Sequence, residues 1–172
     1  MKTQNLGGRG GNALIEFSLL GLPIIFITIS IVAMGLNMWE FHNLAYSTES
    51  TARYISMHGY NCTQNGNSCK LYIQNYAQFF ESQGLALDPS LVKVVFTDGS
   101  GSTTCNPVKN CATSSPANNV YFPASGYDSM GSDITVTATY LLKNPIALYW
   151  PPDTDRSSDF TVGAISKQRI MF

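Results

Sequence analysis

The chain changes from almost wholly apolar to amphipathic near residue 40. From Phe17 to Trp39 there are 23 residues without a charged side chain. About 20 apolar residues in a helix cross a hydrocarbon core roughly 30 Å thick, so this run predicts one membrane span. Residues 1–11, ahead of this run, carry Lys2 and Arg9 and no acidic residue. A basic flank of this kind predicts a cytoplasmic N-terminus.

The helical pattern continues after the span with two unlike faces. One face carries small and apolar residues: Phe41, Leu44, Ala45, Thr48, Ala52 and Ile55. The other carries polar residues: Glu40, Asn43, Ser47, Glu49, Ser50 and Arg53. A single helix from Asn12 to His58, about 70 Å long at 1.5 Å per residue, accounts for both halves. Pro23 predicts a kink in this helix, and Gly59 predicts its C-cap.

The rest of the chain predicts helices and strands in an α+β domain. Ser68 is the predicted N-cap of a helix through Ser82 that Gly84 ends, with a buried stripe of Tyr72, Tyr76, Phe79 and Phe80. Strands are predicted at Leu91–Thr97, over "DITVTATYLL" and at Asp159–Ser166. Strict alternation makes the second a half-buried antiparallel strand, with Ile134, Val136, Ala138, Tyr140 and Leu142 on its inner face. Residues 98–127 are rich in Gly, Ser, Asn and Pro and predict mostly loop.

Composition and cysteine content indicate the cellular compartment of the C-terminal part. Only 12% of the residues are charged and the formal net charge is −1. The ten Lys and Arg residues form no cluster, so the sequence predicts no nucleic-acid partner. All four cysteines come after residue 61, and an even number in loop-like sequence is typical of disulfides in an oxidising compartment. This places the C-terminal part outside the cytoplasm, in agreement with the charge flanking the span.

The spacing of the cysteines favours local pairing. Cys62 and Cys69 enclose six residues, and Cys105 and Cys111 enclose five. Four cysteines allow three connectivities, and the local one closes two short Gly-, Asn- or Pro-containing loops. A zinc site is the alternative, but structural zinc usually uses cysteines two to four residues apart, and the chain has no such pair. No cofactor is predicted.

The start of the span resembles a known processing site. Gly11, Glu16 and Phe17 form Gly-x-x-x-x-Glu-Phe ahead of about twenty apolar residues, as in type IV pilins and pseudopilins. The resemblance implies that a prepilin peptidase cuts after Gly11, which leaves Asn12 as the first residue and Glu16 as the fifth. Asn12 departs from the apolar or small first residue common in pilins, which bears on N-terminal methylation.

More narrowly, the chain resembles the TadE-like minor pilins of tight-adherence (Tad/Flp) pilus systems. The resemblance rests on "ALIEF", on "LGLP" with Pro23, and on "NLAYSTESTARYISMHG" with its Ala52-Arg53 pair. It implies a leader peptide at 1–11, a pilin helix at 12–58 and an extracytoplasmic α+β domain at 59–172. The implied partners are a prepilin peptidase, the major and other minor pilins, the inner-membrane assembly platform and membrane lipid. The implied location is the bacterial inner membrane and then the pilus at the cell surface.

Glu16 has a physical role in this interpretation. A lone charge in hydrocarbon costs about 2.5–3.5 kcal/mol even on the lenient insertion scale. Cleavage creates an α-amino group on Asn12 with an ordinary pKa of about 7.7–8.0. Glu16, one turn away, is expected to pair with this amine or with that of a neighbouring pilin. A glutamate lying in the headgroup region without a partner is the alternative.

Other candidates are weaker. Ile146, Leu148, Tyr149 and Trp150 form an apolar loop that is expected either to pack on the sheet or to contact another subunit. Asp153, Asp155, Ser157 and Asp159 begin like a calcium loop, but Ser158 and Ala164 stand where its glycine and glutamate belong, so a solvated acidic loop is favoured. His42 and His58 have no catalytic partner by spacing, and no enzyme is predicted.

Three alternatives to a Tad-type minor pilin stay open at the level of sequence. One is a pseudopilin of a type II-like secretion system. Another is a plain membrane anchor that carries a periplasmic binding or adhesin domain. The third is a cleaved signal peptide with Ala33 and Gly35 at its cleavage site, although the apolar run exceeds the usual 7–15 residues.

Overall fold

The structure, a computed structural model, describes residues 10–58, 62–64, 67–113, 120–142 and 160–171. Within these ranges the helices are α1 (Gly10–Ser56), α2 (Ile73–Gln83) and α3 (Val108–Ala112). The strands are β1 (Thr63–Gln64), β2 (Asn67–Ser68), β3 (Val92–Asp98), β4 (Gly101–Cys105), β5 (Asp133–Leu142) and β6 (Phe160–Arg169). The chain is an α+β protein, as its sequence predicts.

Four strands form one antiparallel sheet in the order β4-β3-β5-β6. β5 pairs with β6 along its whole length, and with β3 on its other side. The register therefore defines two ends of the sheet. The near end is where β3 and β6 begin and β5 ends, and the far end is where β3 and β6 end and β5 begins. The near end carries Val92, Tyr140 and Phe160, and the far end carries Asp98, Asp133 and Arg169.

The central strand β5 has the predicted bounds and the predicted faces. Every second residue is buried, from Ile134 to Leu142, and the threonines between them are partly exposed. β-Branched side chains suit a pleated, half-buried surface, so local preference and burial agree here. β6 begins at Phe160 and continues to Arg169, three residues beyond the predicted end at Ser166.

The second half of α1 covers the inner face of the sheet against β5 and β6. The residues of α1 buried there are Leu44, Ser47, Thr48, Thr51, Ala52, Ile55 and Ser56. The prediction that Ser47 lies on the outer face is wrong, because a small hydroxyl-bearing residue fits where helix and sheet approach closely. Its hydroxyl donates to the Asn43 carbonyl at 2.9 Å, so burial leaves this hydroxyl with a partner.

The helix enters the domain at the near end of the sheet. Burial, and after it the nearby Glu40 carboxylate, raises the pKa of the Tyr140 phenol at that end. The other end of α1 meets Tyr76, whose hydroxyl donates to the His58 carbonyl at 2.7 Å. Tyr76 in turn packs edge-on against Phe122 at 6.4 Å, in a segment held at the far end. α1 therefore runs along the sheet from the near end to the far end.

The middle region differs from its prediction in two ways. Residues 98–127 contain the short elements β4 and α3 within their loops, and neither was predicted. Gly101 adopts a φ of +154° at the hairpin turn, and the β-branched Thr103 and Thr104 then pair with β3. Ser68 is not a helix N-cap, because it pairs with Thr63 in the β1–β2 hairpin. α2 begins at Ile73, and Gly84 ends it as predicted.

Candidate functional site

The predicted processing site lies in the first turn of α1. The helix begins at Gly10, two residues before the predicted start, so Gly11 and Asn12 both have helical backbone. Glycine gains the most conformational freedom when it leaves a helix, so the backbone at Gly11 unwinds at a lower cost in free energy than it would with a larger residue there.

The side chain of Glu16 is exposed on the helix that follows. Among the described residues the ion pairs are Arg53 with Glu49, and Lys167 and Arg169 with Asp133, and none includes Glu16. Phe17, the other predicted site residue, is 78% exposed. The single chain thus presents both side chains outward.

The stretch predicted to span a membrane is one uninterrupted helix that is long and apolar enough to do so. Its large apolar side chains are exposed along its whole length, from Phe17 through Ile24 and Ile31 to Trp39. Such a surface in water would oppose solubility, because exposed apolar patches on soluble proteins are usually only a few hundred Å². The helix continues through Pro23, and the predicted kink there stays a prediction.

The hydroxyl groups inside this stretch are satisfied by the helix itself. Ser18 donates to the Ile15 carbonyl at 3.0 Å, and Thr28 donates to the Ile24 carbonyl at 2.8 Å. Ser30 donates in the same way to a carbonyl one turn earlier. In hydrocarbon each unsatisfied polar group costs several kcal/mol. These local bonds make the polar residues of the run compatible with lipid.

An aromatic cluster joins the end of α1 to α2. Tyr54 stacks on Phe79 with 4.2 Å between ring centroids and an interplanar angle of 10°. The His58 ring lies 4.3 Å from Tyr54, and its Nδ1 is 2.9 Å from the Tyr54 carbonyl. His58 is therefore part of the packing between two helices.

Both disulfides are local, as the sequence favours. Cys62 pairs with Cys69 across a Cα–Cα distance of 5.2 Å and closes the β1–β2 hairpin. Cys105 pairs with Cys111 across 5.7 Å and joins the end of β4 to α3. The Cys105–Cys111 disulfide is buried in the core. No group of three or more potential metal-ligating side chains occurs among the described residues.

Asp98 is a structural residue that the sequence did not reveal as important. Its Oδ1 accepts hydrogen bonds from the Ser100 and Gly101 N–H groups and from the Ser100 hydroxyl. Its Oδ2 accepts from the Ala124 N–H. The "DGSG" turn that begins at Asp98 was visible as a turn signal, but the bond to Ala124 depends on tertiary structure.

Asp98 also borders a cleft of about 250 Å³ with Ser102, Thr103 and Tyr121. The carboxylate already accepts four hydrogen bonds from the protein, which leaves it little capacity for a ligand. A stacked pair, Tyr72 on Tyr121 at 4.3 Å, closes one side of this region. Lys70 lies 4.5 Å from the Tyr121 ring centroid. The side chains that border the cleft are therefore engaged mainly with one another.

Several predicted features lie outside the described residues. They are Gly59, the contact loop with Ile146, Leu148, Tyr149 and Trp150, and the acidic stretch at 153–159. The strands that flank the contact loop are described: Leu142 ends β5, Phe160 begins β6, and the two residues pair at the near end.

Comparisons with protein-family models, with curated proteins and with solved structures gave no match for this chain. The class of protein is therefore defined by its own structure. It is an α+β protein with one membrane-length apolar N-terminal helix, a small antiparallel four-stranded sheet and two local disulfides.

Proposed function

We propose that this protein is a TadE-like minor pilin of a Tad/Flp-type pilus, processed after Gly11 by a prepilin peptidase and then assembled with other pilins. The observation that carries the proposal is the continuity of α1. One 47-residue helix contains the Gly-x-x-x-x-Glu-Phe motif, exposes nearly all of its large apolar residues up to Trp39 and then becomes the core helix of the domain. A cleaved signal peptide does not need such continuity with the mature domain.

In this proposal the helix serves twice. Before assembly the segment Phe17–Trp39 holds the protein in the inner membrane with the domain outside. After assembly the same apolar surface packs against the helices of neighbouring subunits. The assembly platform and the major pilin are the partners for this step, and the protein acts as a structural subunit without catalysis.

Glu16 defines the register in this model of assembly. Its carboxylate is exposed on the single chain, so it is available to the α-amino group of Asn12 or of a neighbouring subunit. Removing one member of a desolvated ion pair costs about 3–5 kcal/mol, because the other charge is left without compensation. A subunit inserted one helical turn out of register would leave this charge unpaired and would be destabilised by that amount.

Determination of the N-terminal residue of the protein from its host membranes tests the proposal. The pilin function requires a chain that begins at Asn12. A chain that begins at Met1 would show a plain anchor, and one that begins near Leu36 would show a secreted domain.

A pair of variants makes the same test specific. Gly11→Val is expected to abolish processing, because a β-branched side chain hinders close approach of the protease to the backbone. Gly10→Val is the matched control one residue earlier and is expected to be processed. Equal processing of the two variants would rule out the proposed cleavage site.

A further inference from the structure

Two large apolar side chains are exposed at the near end of the sheet. Leu85, in the turn between α2 and β3, is 91% exposed. Phe160, the first residue of β6, is 63% exposed. The turn that contains Leu85 belongs to the near end, because it leads through Leu91 into β3, whose first residue pairs with Tyr140.

The near end is also the end from which α1 leaves the domain. The apolar segment stops at Trp39, and Leu44 is the first fully buried residue of the amphipathic half. Leu44 lies five positions after Trp39, which at 1.5 Å per residue is about 8 Å along the helix. The headgroup region on each side of a bilayer is about 5–8 Å thick. Since these two lengths are nearly equal, the domain begins where the headgroups end.

We propose that the near end of the domain rests on the outer surface of the membrane that α1 crosses, with Leu85 and Phe160 in contact with the lipid headgroup region. This inference rests on the membrane-anchoring part of the proposed function. It adds a second contact between protein and lipid, which fixes the tilt of the domain before assembly. Apolar side chains that reach inward among the headgroups from this position gain stability toward the boundary with the acyl chains.

The far end supplies an internal comparison. Met130, in the turn before β5, is 73% exposed and is therefore as available to lipid as Phe160. It lies next to Asp133 at the opposite end of a ten-residue strand. Such a strand is about 33 Å long at 3.3 Å per residue. A domain that rests on its near end holds Met130 well above the headgroups.

The experiment uses the full chain with its four native cysteines oxidised, reconstituted into phosphatidylcholine and phosphatidylglycerol vesicles. A single additional cysteine carries an environment-sensitive fluorophore in the variants Leu85→Cys, Phe160→Cys, Met130→Cys and Ile27→Cys. The lipid carries a spin label at the headgroup or near the top of the acyl chain, and quenching is measured. All four positions are exposed in the chain, so none of the substitutions removes core packing.

The expected result is strong quenching at Leu85 and Phe160, at least halving the fluorescence, with little quenching at Met130. Ile27, inside the span, is expected to respond to acyl-chain label. Quenching at Ile27 with Leu85 and Phe160 no more quenched than Met130 would overturn the surface contact and leave the anchor intact. Absence of quenching at Ile27 would overturn the anchor itself. Equal quenching at Met130, Leu85 and Phe160 would overturn the proposed orientation.

Discussion

The Oδ2 atom of Asp98 accepts a hydrogen bond of 2.8 Å from the backbone N–H of Ala124, 26 residues further along the chain. The other carboxylate oxygen closes the β3–β4 turn through the N–H groups of Ser100 and Gly101. One side chain therefore ties a hairpin turn to the segment that places Phe122 in the core. Charge-assisted hydrogen bonds of this kind are about twice as strong as neutral ones.

Asp98→Asn is expected to lower the free energy of unfolding by about 1–2 kcal/mol, because the amide nitrogen cannot accept the Ala124 bond. Urea unfolding of the detergent-solubilised chain, followed by circular dichroism, measures this change. Asp88→Asn is the matched control, since Asp88 accepts the same local bonds from Ser90 and its Oδ1 can be replaced by the amide oxygen. An equal loss in both variants would contradict the role of the Ala124 bond.

The contribution of Asp98 is expected to depend on pH. Burial alone would raise the pKa of this carboxyl, but the bonds from Ala124, Ser100 and Gly101 outweigh burial and hold the pKa below its ordinary value of 3.8. A lowered pKa in the folded state stabilises the fold above pH 3.8, and this stabilisation is lost as the pH falls through the lowered pKa. The stability difference between wild type and Asp98→Asn should therefore be constant from pH 6 to 8 and shrink below about pH 4.

Tyr76→Phe is expected to destabilise the chain by about 1 kcal/mol through loss of the bond to the His58 carbonyl. The phenylalanine keeps the buried ring, so the packing against Phe122 stays. The effect should be concentrated where α1 ends, and amide exchange at His58, whose N–H donates to Ile55, should accelerate. Tyr72→Phe, which removes a hydroxyl bonded to Tyr121, is the control and should leave exchange at His58 unchanged.

The two disulfides are expected to contribute unequally to stability. Closing a loop of six or seven residues contributes about 2 kcal/mol in the chain-entropy model, and this term is similar for both. Cys105 and Cys111 are also buried, whereas Cys62 and Cys69 are partly exposed. The double variant Cys105→Ala, Cys111→Ala should therefore lose more stability than Cys62→Ala, Cys69→Ala. Peptide mapping without reduction checks the pairing itself, and any peptide linking Cys69 to Cys105 would contradict it.

Glu16→Gln is expected to leave cleavage after Gly11 intact and to lower incorporation into filaments. If Glu16 pairs with the Asn12 amine as proposed, loss of the pair costs about 3–5 kcal/mol, which lowers the equilibrium constant for incorporation on the order of a hundredfold or more. Immunoblots of sheared filaments and of membranes measure the ratio of incorporated to membrane-retained protein. Glu40→Gln, on the same helix but beyond the span, should assemble normally. Normal cleavage and normal incorporation of Glu16→Gln would contradict the pairing.

The sequence alone determined the features that depend on local polarity. Two local patterns carried this information: a run of 23 uncharged residues and a strict alternation from Asp133 to Leu142. Neither pattern depends on a contact with a distant segment. The continuation of the helix past Trp39 followed from the same kind of pattern. The two cysteines of each pair are close together in the sequence, so their local pairing could also be predicted.

The tertiary structure decided the features that need two distant segments to meet. Ser47 was expected on the outer face because it is polar, but close packing of α1 on β5 and β6 buries it and its own helix satisfies its hydroxyl. Strand β4 was hidden in Gly- and Ser-rich sequence because its stability comes from pairing with β3. The direction of α1 along the sheet, which places the entry of α1 at the same end as Leu85 and Phe160, likewise comes from long-range packing. No local pattern encodes it, because burial at one residue depends on neighbours far away in the chain.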